Sequence, residues 1–521
     1  MHLGTLDLTV VAIYAISLLL LAQWVSREKA GHKKDTQDYF LAGRALPWWA
    51  IGASLIAANI SAEQIIGMSG SAFVMGIAIA SYEWMGAITL IIVGKYLLPV
   101  FLKHKIYTMP QFLEQRFDAR VKTILGLFWL GVYVFVNLTS ILWLGSLAIN
   151  TVTGMDLNYA LIVLATFATG YSLYGGLKAV AMTDIVQVVL LVLGGLFIAH
   201  MSMNEISGGQ GVITGFRMVL EQAPEKFDMI LSKDSPHYMS LPGVSVLIGG
   251  MWIMNLSYWG FNQYIIQRAL AAKSNREAQK GIVFAAFLKM LMPVLVVLPG
   301  IAAVILTPNL SAPDQAYPEM MKLLPAGLAG LVFAALIAAI VSSLASMMNS
   351  ISTIFTMDIY SQFSKSGHSE TELVKVGRIV SLSAIVTAAI VARPLLGKFD
   401  QAFQYIQEFT GFFTPGVVAI FMLAIFWKRT TANGAIAAAI GSAILSLIFK
   451  LYWPSLPFID RVGIVFVVCV LIGMLISTMQ EVGDHPDAIE YGDVDISTST
   501  SFNLASIVVV IMLAAIYTTW W

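Results

Sequence analysis

Residues 57–64 place two amides, a hydroxyl and a carboxylate in the middle of an apolar stretch that runs from Pro47 to Phe73. The run reads Ala-Ala-Asn-Ile-Ser-Ala-Glu-Gln, and the chain on both sides of it is apolar and long enough to help span a bilayer. Polar groups at mid-membrane depth are costly and usually functional. Helical backbone can be interrupted there only where it lines protein or a water-filled cavity. A broken transmembrane helix with a polar centre is typical of a transporter site for a small polar solute.

Further polar side chains lie near the centres of other apolar segments. Glu83 and Lys289 are charged, and a charge at this depth requires a partner, so the two could simply pair with each other. A lone Asn or Ser in a membrane helix more often bonds a neighbouring helix than a ligand. The shared depth shifts the odds towards a binding site, whose mixed donors and acceptors suit a neutral polyhydroxylated ligand. A carboxylate-bearing ligand would be repelled by Glu83. The polar residues at this depth are Gln64, Glu83, Asn255, Lys289, Ser342, Ser343 and Gln407.

Ala339, Ser342 and Ser343 are spaced i, i+3, i+4 and therefore share one face of a helix. Sodium prefers oxygen ligands, and two hydroxyls could supply them together with carbonyls freed by the break near residues 57–64. Tight helix packing through small residues is the alternative, because 338–346 read Ala-Ala-Ile-Val-Ser-Ser-Leu-Ala-Ser. On the spacing alone, packing is favoured.

Composition indicates a membrane protein. Of the 521 residues, 58% are hydrophobic and 12% charged, and the mean hydropathy is +0.80, whereas soluble domains carry about a quarter charged residues. The net charge is zero, so nothing indicates a nucleic-acid partner. The single cysteine, Cys469, excludes an intramolecular disulfide. An enzyme is not expected, since the apolar segments contain no nucleophile–base or metal-ligand cluster.

Fourteen segments are apolar and long enough to cross a hydrocarbon core, which takes about 20 residues. Placing the amino terminus outside puts 20 of the 30 Lys and Arg residues in cytoplasmic loops and 8 in outside loops. Because positive charge accumulates on the cytoplasmic side, both termini are predicted to lie outside a plasma membrane, the inner membrane of a bacterium. The acidic loop 480–502 has no explanation. The segments are 5–26, 47–73, 74–102, 123–150, 157–176, 180–202, 243–267, 281–307, 324–357, 377–396, 401–427, 432–452, 461–479 and 503–521.

Segment 243–267 also has a polar, glycine-containing centre, Asn255-Leu-Ser-Tyr-Trp-Gly260. It starts five spans after segment 47–73, so the two segments run in opposite directions. This topology predicts two inverted five-helix halves, each opening with a broken helix. The chain is therefore predicted to be an all-α integral membrane protein with one transport domain, 1–521. Its parts are an extra helix and loop (1–46), a first inverted repeat (47–202), a second (243–429) and three extra helices (430–521).

Several stretches resemble the sodium/solute symporter family. Gly43-Arg-Ala-Leu-Pro-Trp-Trp, 53–64 and Gly67-Met-Ser-Gly-Ser-Ala-Phe resemble its first hallmark, and 334–360, which ends in Asp-Ile-Tyr, resembles its second. Residues 80–85 and 402–411 resemble the bacterial branch that carries galactose or glucose. The resemblance covers essentially the whole chain. It implies a leucine-transporter-like core and sodium-coupled symport of a hexose by alternating access.

The resemblance also implies roles for individual positions. Gln64, Glu83, Asn255, Lys289 and Gln407 match sugar-contacting residues. Sodium would bind the carbonyls of Ala57, Ile60 and Ala339 and the hydroxyls of Ser342 and Ser343. Tyr258 matches an inner gate that stacks on the sugar ring, and Met68, Tyr82 and Phe403 match an outer lid. Asp184 matches an acid on the sodium exit route, although an acid near the cytoplasmic end of a helix explains it equally well. The predicted orientation puts each gate on its expected side.

Gly86 departs from the family pattern, in which a small hydroxyl residue follows the glutamate by three positions. The missing hydroxyl could relax the preference for one sugar epimer or be replaced by water. Two alternatives keep the fold: a symporter of another small solute, such as a polyol or a sialic-acid-like sugar, and a transporter-like sugar sensor. The sequence fixes neither the sodium-to-sugar ratio nor the oligomeric state.

Overall fold

Helices form nearly all of the described chain. The computed structural model describes residues 4–25, 41–363, 369–397, 401–480 and 483–521. Within these ranges the one extended pairing is a single bridge between Leu46 and Ala272. The α-helices are α1 (Thr5–Val25), α2 (Trp48–Asn59), α3 (Ser69–Met75), α4 (Ser81–Ile92), α5 (Leu98–Lys103), α6 (Met109–Arg116), α7 (Ala119–Val132), α8 (Thr139–Thr153), α9 (Leu157–Ile206), α10 (Val212–Gln222), α11 (Ser245–Ile248), α12 (Gly250–Leu256), α13 (Gln263–Leu270), α14 (Asn275–Met292), α15 (Leu298–Leu306), α16 (Ala316–Met321), α17 (Leu328–Ile354), α18 (Ser361–Phe363), α19 (Glu370–Leu396), α20 (Ala402–Thr410), α21 (Thr414–Phe426), α22 (Ala432–Tyr452), α23 (Phe458–Gln480) and α24 (Thr500–Thr519).

Short π-helical and 3-10 segments lie between these helices. A π-helical turn widens a helix locally and is frequent at functional sites. Two of the π-helical segments, Glu63–Met68 and Ser257–Phe261, contain predicted site residues. The other π-helical segments are Val93–Leu97, Tyr133–Leu138, Pro293–Val297 and Phe355–Tyr360, and the 3-10 segments are Ala42–Arg44, Gly76–Ala80, Pro224–Phe227, Pro313–Gln315 and Tyr491–Asp493.

Ten helices in the described ranges are long and apolar enough to cross a membrane. The pair α20 and α21, bent by 45°, makes an eleventh if it is one span. Three predicted segments remain: 47–73 and 243–267, which are interrupted, and 157–176, whose apolar helix is short. Each of the fourteen predicted segments overlaps a described helix, while the number of spans stays a prediction. The basic loop 26–40, Lys365 and Lys398, which entered the orientation, lie outside the described residues.

α9 is assigned as one helix of 50 residues, yet it bends back on itself. Tyr171 and Thr183 share a hydrogen bond. Twelve residues of straight helix rise about 18 Å, which a tyrosine side chain cannot reach across. The chain therefore turns back between these two residues, in agreement with the separate predicted segments 157–176 and 180–202.

The first broken helix consists of α2, the segment Glu63–Met68 and α3. Ile60 leaves helical geometry with φ −72° and ψ 62°. The N–H of Ser61 then donates to the carbonyl of Asn59 at 2.7 Å, rather than to Ala57 four residues back. The carbonyl of Ala57 thereby loses its helical partner, as a cation site at this break requires. The interruption lies inside the predicted run 57–64.

The second broken helix consists of α11, α12, the segment Ser257–Phe261 and α13. Its main break lies at Asn262, whose backbone is extended at φ −79° and ψ 118°. The side chain of Asn262 accepts the N–H of Tyr264 at 3.0 Å and so caps α13. The predicted polar centre Asn255–Gly260 stays helical, because its extra backbone length is absorbed by a π-helical turn. The break follows that centre by two residues.

The two helices that carry the candidate sodium residues pack in the middle of the bundle. In the most apolar 18 residues of the span that contains α17, 83% of the residues are buried. In the corresponding part of α1 the share is 6%, so α1 lies at the periphery of the bundle. α2 packs against α14 and α9, and α9 packs against α17. Gly52 allows α2 to approach α14 closely, since a Cβ there would lie 2.7 Å from the carbonyl of Gly281.

Candidate transport site

A cavity between the broken helices is lined by all five predicted sugar-contacting residues. Tyr258, Tyr82 and Phe403 line it as well, whereas Met68 is fully buried behind it. The five predicted sugar-contacting residues come from five separate spans. Other lining residues are Asn59, Glu63, Phe128, Trp129, Val132, Tyr133, Asn137, Met254, Ser257, Trp259, Asn262, Ile406, Thr410, Phe413, Thr414 and Val417.

Lys289 and Glu83 form a buried ion pair at the wall of the cavity. The Nζ of Lys289 donates to Oε2 of Glu83 and also to Oδ1 of Asn59, and both charged side chains are almost completely buried. Nζ also lies 4.9 Å from the ring centroid of Trp259, a favourable cation–π distance. The ion pair between Lys289 and Glu83, which the sequence analysis left as an alternative, is therefore formed. Both of its members also line the cavity.

Asn59 is a site residue that the sequence analysis did not assign. Its Oδ1 accepts from Lys289, and its Nδ2 donates to the hydroxyl of Tyr258 at 3.1 Å. Asn59, the last residue of α2, thus connects the ion pair to the predicted inner gate, Tyr258. Its presence as an amide in the polar run 57–64 was the available signal.

The amides of Asn255 and Gln64 are only partly satisfied by neighbouring protein groups. Nδ2 of Asn255 donates to the carbonyl of Met251 at 3.1 Å, and Oε1 of Gln64 accepts a long hydrogen bond of 3.3 Å from Ser61. An amide offers two donors and two acceptor lone pairs. Both residues therefore keep hydrogen-bonding capacity, and both line the cavity.

Gly86 explains how Asn255 and Trp259 reach the cavity wall. A Cβ at position 86 would lie 3.0 Å from Oδ1 of Asn255 and 2.9 Å from Nε1 of Trp259. The absence of a side chain allows these two polar atoms to occupy the space that a hydroxyl residue would fill. The departure from the family pattern therefore has a packing reason in this chain.

The cavity is closed at one end by aromatic side chains. Tyr82 and Phe403 meet edge to face with ring centroids 5.2 Å apart, and both are buried. Gly67 seats Phe403, because a Cβ at Gly67 would lie 3.1 Å from Cβ of Phe403. In the opposite direction the lining continues past Tyr258 to Asn262 and Val417. Buried aromatic side chains thus cover the end at Phe403, while the lining continues in the other direction.

The predicted sodium residues lie together between α2 and α17. Ala57, Ile60, Ala339, Ser342 and Ser343 are all buried. The hydroxyl of Ser343 donates to the carbonyl of Ala58 at 3.4 Å, and the hydroxyl of Tyr264 donates to the same carbonyl. Ala58 is therefore a carbonyl at this place that the sequence analysis did not single out.

Asp184 is fully buried and bonded to the same region. It accepts hydrogen bonds from Ser342 and, at 2.6 Å, from Ser54 of α2. Asp184 is therefore placed beside a predicted sodium residue rather than at an exposed helix end. These hydroxyls satisfy a carboxylate whose burial alone would be unfavourable.

Arg268 supplies the positive charge nearest to Asp184. Its Nη2 lies 3.9 Å from Oδ2 of Asp184, while Nε donates to Ser54 at 2.8 Å and Nη2 to Ser346 at 2.6 Å. Arg268 directly follows the predicted segment 243–267, so the sequence analysis gave it no place in the site. Arg268 lies in α13 and is 1% exposed, because these partners and the carboxylate compensate its burial.

Comparisons with known proteins identify the family. The model of the "sodium:solute symporter family" matches residues 39–441. The chain is 51% identical to a sodium/glucose cotransporter of Vibrio parahaemolyticus over 538 aligned residues, which cover 100% of this chain and 99% of the relative. It is 33% identical to a mouse sodium/myo-inositol cotransporter 2 over 85% of this chain and 69% of the relative. The solved structure of a Na+-coupled sialic acid symporter superposes with a TM-score of 0.80 at 25% identity, covering 92% of this chain and 98% of the other. The predicted family and fold class are confirmed: the chain belongs to the sodium:solute symporter family.

Proposed function

We propose that this chain couples the entry of a hexose, glucose or galactose, to the entry of sodium by alternating access. The observation that carries the proposal is the Lys289–Glu83 pair, which faces a cavity also lined by Gln64, Asn255 and Gln407. The pair is neutral as a whole and presents both donors and acceptors. Such a surface suits the hydroxyl groups of an uncharged sugar. The full-length similarity to a sodium/glucose cotransporter supports the same cargo.

The five polar residues bind the sugar hydroxyls, and the aromatic residues cover its two faces. Tyr258 stacks on one side of the ring, and Tyr82 with Phe403 closes the other, with Met68 packed behind them. Aromatic faces against sugar C–H groups contribute apolar contact without competing for hydroxyls. Lys289 and Glu83 reorganise from each other towards the sugar when it binds.

Sodium binds between α2 and α17 and transmits its presence through the broken helix. Its ligands are the carbonyls of Ala57, Ile60 and Ala339 and the hydroxyls of Ser342 and Ser343. Asp184 attracts the ion and marks its route to the cytoplasm. Binding of the cation holds α2 against α17, and Asn59 at the end of α2 holds Lys289. A coupling of about 1–3 kcal/mol between the two sites is sufficient.

A multi-pass arrangement in a plasma membrane, the inner membrane of a bacterium, with both termini outside, follows from the distribution of Lys and Arg. In this orientation the end of the cavity at Phe403 faces outwards. The divisions 1–46, 47–202, 243–429 and 430–521 describe the extra and repeated parts of the domain.

A polyol is the second candidate cargo. Gly86 leaves one wall of the cavity without a side-chain hydroxyl, which reduces the number of fixed contacts to a particular sugar epimer. A relative that is 33% identical over 473 aligned residues is a sodium/myo-inositol cotransporter. A sialic-acid-like sugar is less favoured, because its carboxylate would lie near Glu83.

Equilibrium binding to the purified protein tests the proposal. Radiolabelled glucose and galactose are measured with sodium and with choline in its place, and myo-inositol and sialic acid are added as competitors. We expect sodium-dependent hexose binding that Gln64→Ala weakens at least about tenfold, the effect of losing about 1.4 kcal/mol. The matched control, Gln210→Ala, changes an exposed glutamine and should bind normally. Binding that is indifferent to sodium, or unaffected by Gln64→Ala, would contradict the proposal.

A further inference from the structure

A buried carboxylate, Asp314, lies at the Phe403 end of the cavity and has no assigned role. It is 3% exposed and belongs to the turn Pro313–Gln315, between α15 and α16. Its Oδ2 accepts the backbone N–H of Ala402 at 3.1 Å. Ala402 is the first residue of α20, and Phe403 follows it directly. Asp314 is thus bonded to the start of the helix that carries Phe403.

The contact is a helix cap supplied from elsewhere in the chain. The first N–H groups of a helix have no partner inside the helix, and a carboxylate placed there is stabilising. Gln401, which occupies the normal capping position of α20, makes no side-chain capping bond. Asp314, 88 residues away in sequence, provides the acceptor instead.

The same turn also packs directly on the first broken helix. A Cβ at Gly70 of α3 would lie 2.8 Å from both Cα and N of Asp314. Three residues earlier, Gly67 packs closely against Phe403. Positions three apart lie on one helical face. One face of the broken helix therefore contacts both Phe403 and the residue that caps the helix of Phe403.

We propose that Asp314 is a positioning residue of the Phe403 gate. It holds the start of α20 against α3, so that Phe403 stays over the cavity. The inference rests on the proposed function in one respect, that Phe403 is an external gate. When α3 and α20 separate, Asp314 loses either its contact with Gly70 or its bond to Ala402. The strength of the cap therefore sets how often the cavity opens at this end.

Thiol labelling from outside intact cells measures that opening. The parent carries Cys469→Ser, which removes the single buried cysteine, and Ile406→Cys, which places a reporter on the cavity wall one turn after Phe403. In Asp314→Ala, a membrane-impermeant maleimide should react about fivefold faster than in the parent, the factor for a cap of about 1 kcal/mol at 1.4 kcal/mol per tenfold. Asp314→Asn should stay close to the parent, because an asparagine oxygen caps as well as an aspartate oxygen.

Two further variants complete the test. Asp234→Asn changes an exposed acid elsewhere and should label at the parent rate. Gly70→Ala adds a Cβ that would overlap Asp314, so it pushes the turn and its carboxylate away from α3 and should accelerate labelling. Unchanged labelling in Asp314→Ala, or equal acceleration in Asp314→Asn and Asp314→Ala, overturns the inference. Should Asp314→Ala fail to fold, unchanged labelling in Gly70→Ala has the same meaning. No sugar or sodium is needed, so failure of hexose binding is a separate result.

Discussion

Single residues at the cavity have structural contacts in addition to the binding roles proposed for them. The buried pair of Lys289 and Glu83 would be explained by mutual neutralisation alone if neither residue met a ligand. Removing one partner leaves an uncompensated buried charge, whereas removing both leaves none. A single and a double variant can therefore distinguish the contribution of the pair to stability from its contribution to transport.

Lys289→Met should destabilise the protein by about 3–5 kcal/mol, because Glu83 is left buried without its partner. Lys289→Met combined with Glu83→Gln should recover most of that loss. Hexose uptake should be absent from both, since the cavity has lost its charged donor and acceptor. Heat-resistance of the purified variants and uptake into liposomes give the two readouts. A double variant that is stable and transports normally would make the pair purely structural.

Tyr258→Phe and Tyr258→Ala separate the ring of the inner gate from its hydroxyl. The hydroxyl is bonded to Asn59, which Lys289 also holds. Phenylalanine keeps the stacking face and should retain most sugar binding and accumulation. Alanine should weaken binding about 2- to 12-fold, for a loss of about 0.5–1.5 kcal/mol, and should reduce accumulation. Equal losses in both variants would assign the effect to the hydroxyl and contradict the gate.

Ser343→Ala should raise the sodium concentration for half-maximal uptake about 2- to 12-fold, since one oxygen ligand worth about 0.5–1.5 kcal/mol is lost. The matched control is Ser350→Ala on the same helix, whose hydroxyl donates to Gln267 at 3.1 Å. Sugar affinity at saturating sodium should hardly change in either. If Ser343→Ala and Ser350→Ala have the same sodium dependence, Ser343 is a packing residue.

The identity of the cavity residues was more predictable than their partners. Glu83 and Lys289 stand out in apolar sequence because a charge there needs a reason. Asn59 was missed, since sequence alone does not show that one amide bridges two spans. Arg268 was missed for the same reason, because its partner Asp184 lies on a distant part of the chain and the spacing of residues does not reveal that contact.

Helices and their interruptions decide where these residues meet. The first break was predictable, because a polar run interrupts an apolar stretch. The second was displaced to Asn262, because Ser257–Phe261 continues as a wider turn that a search for polar centres does not detect. α9 bends between Tyr171 and Thr183, as the hydrogen bond between these two residues requires.

The extra helix α1 contributes to the position of α17. Oδ1 of Asp7 accepts the N–H groups of Gly327 at 2.7 Å and Gly330 at 2.9 Å, so α1 caps the start of the helix that carries the proposed sodium ligands. Asp7→Ala should lower stability by about 0.5–2 kcal/mol. Asp7→Asn should lose much less, because it keeps an acceptor.

Thermal unfolding of the two Asp7 variants, with sodium titrations of uptake, checks this contact. The sodium concentration for half-maximal uptake should stay unchanged, since Asp7 lies at the end of α17 away from Ser342. Equal stability of Asp7→Ala and the wild type would show that the cap does not contribute to the stability of the protein.

At the scale of the whole molecule, the cavity has two different ends. Buried aromatic side chains pack at Phe403, where Asp314 caps α20, and the cavity lining extends in the other direction past Tyr258. Composition predicted the membrane class, and the charge distribution predicted an orientation. Neither predicted this difference between the two ends, because the contacts that create it are long-range.

Coupled flux is the most direct test of sodium–hexose symport. Purified protein is reconstituted into liposomes, and labelled glucose or galactose is followed under a tenfold inward sodium gradient, with potassium in place of sodium as the control. We predict accumulation above the external sugar concentration, which disappears when an ionophore collapses the gradient. Uptake that never exceeds equilibrium, or that proceeds equally in potassium, would contradict sodium-coupled symport.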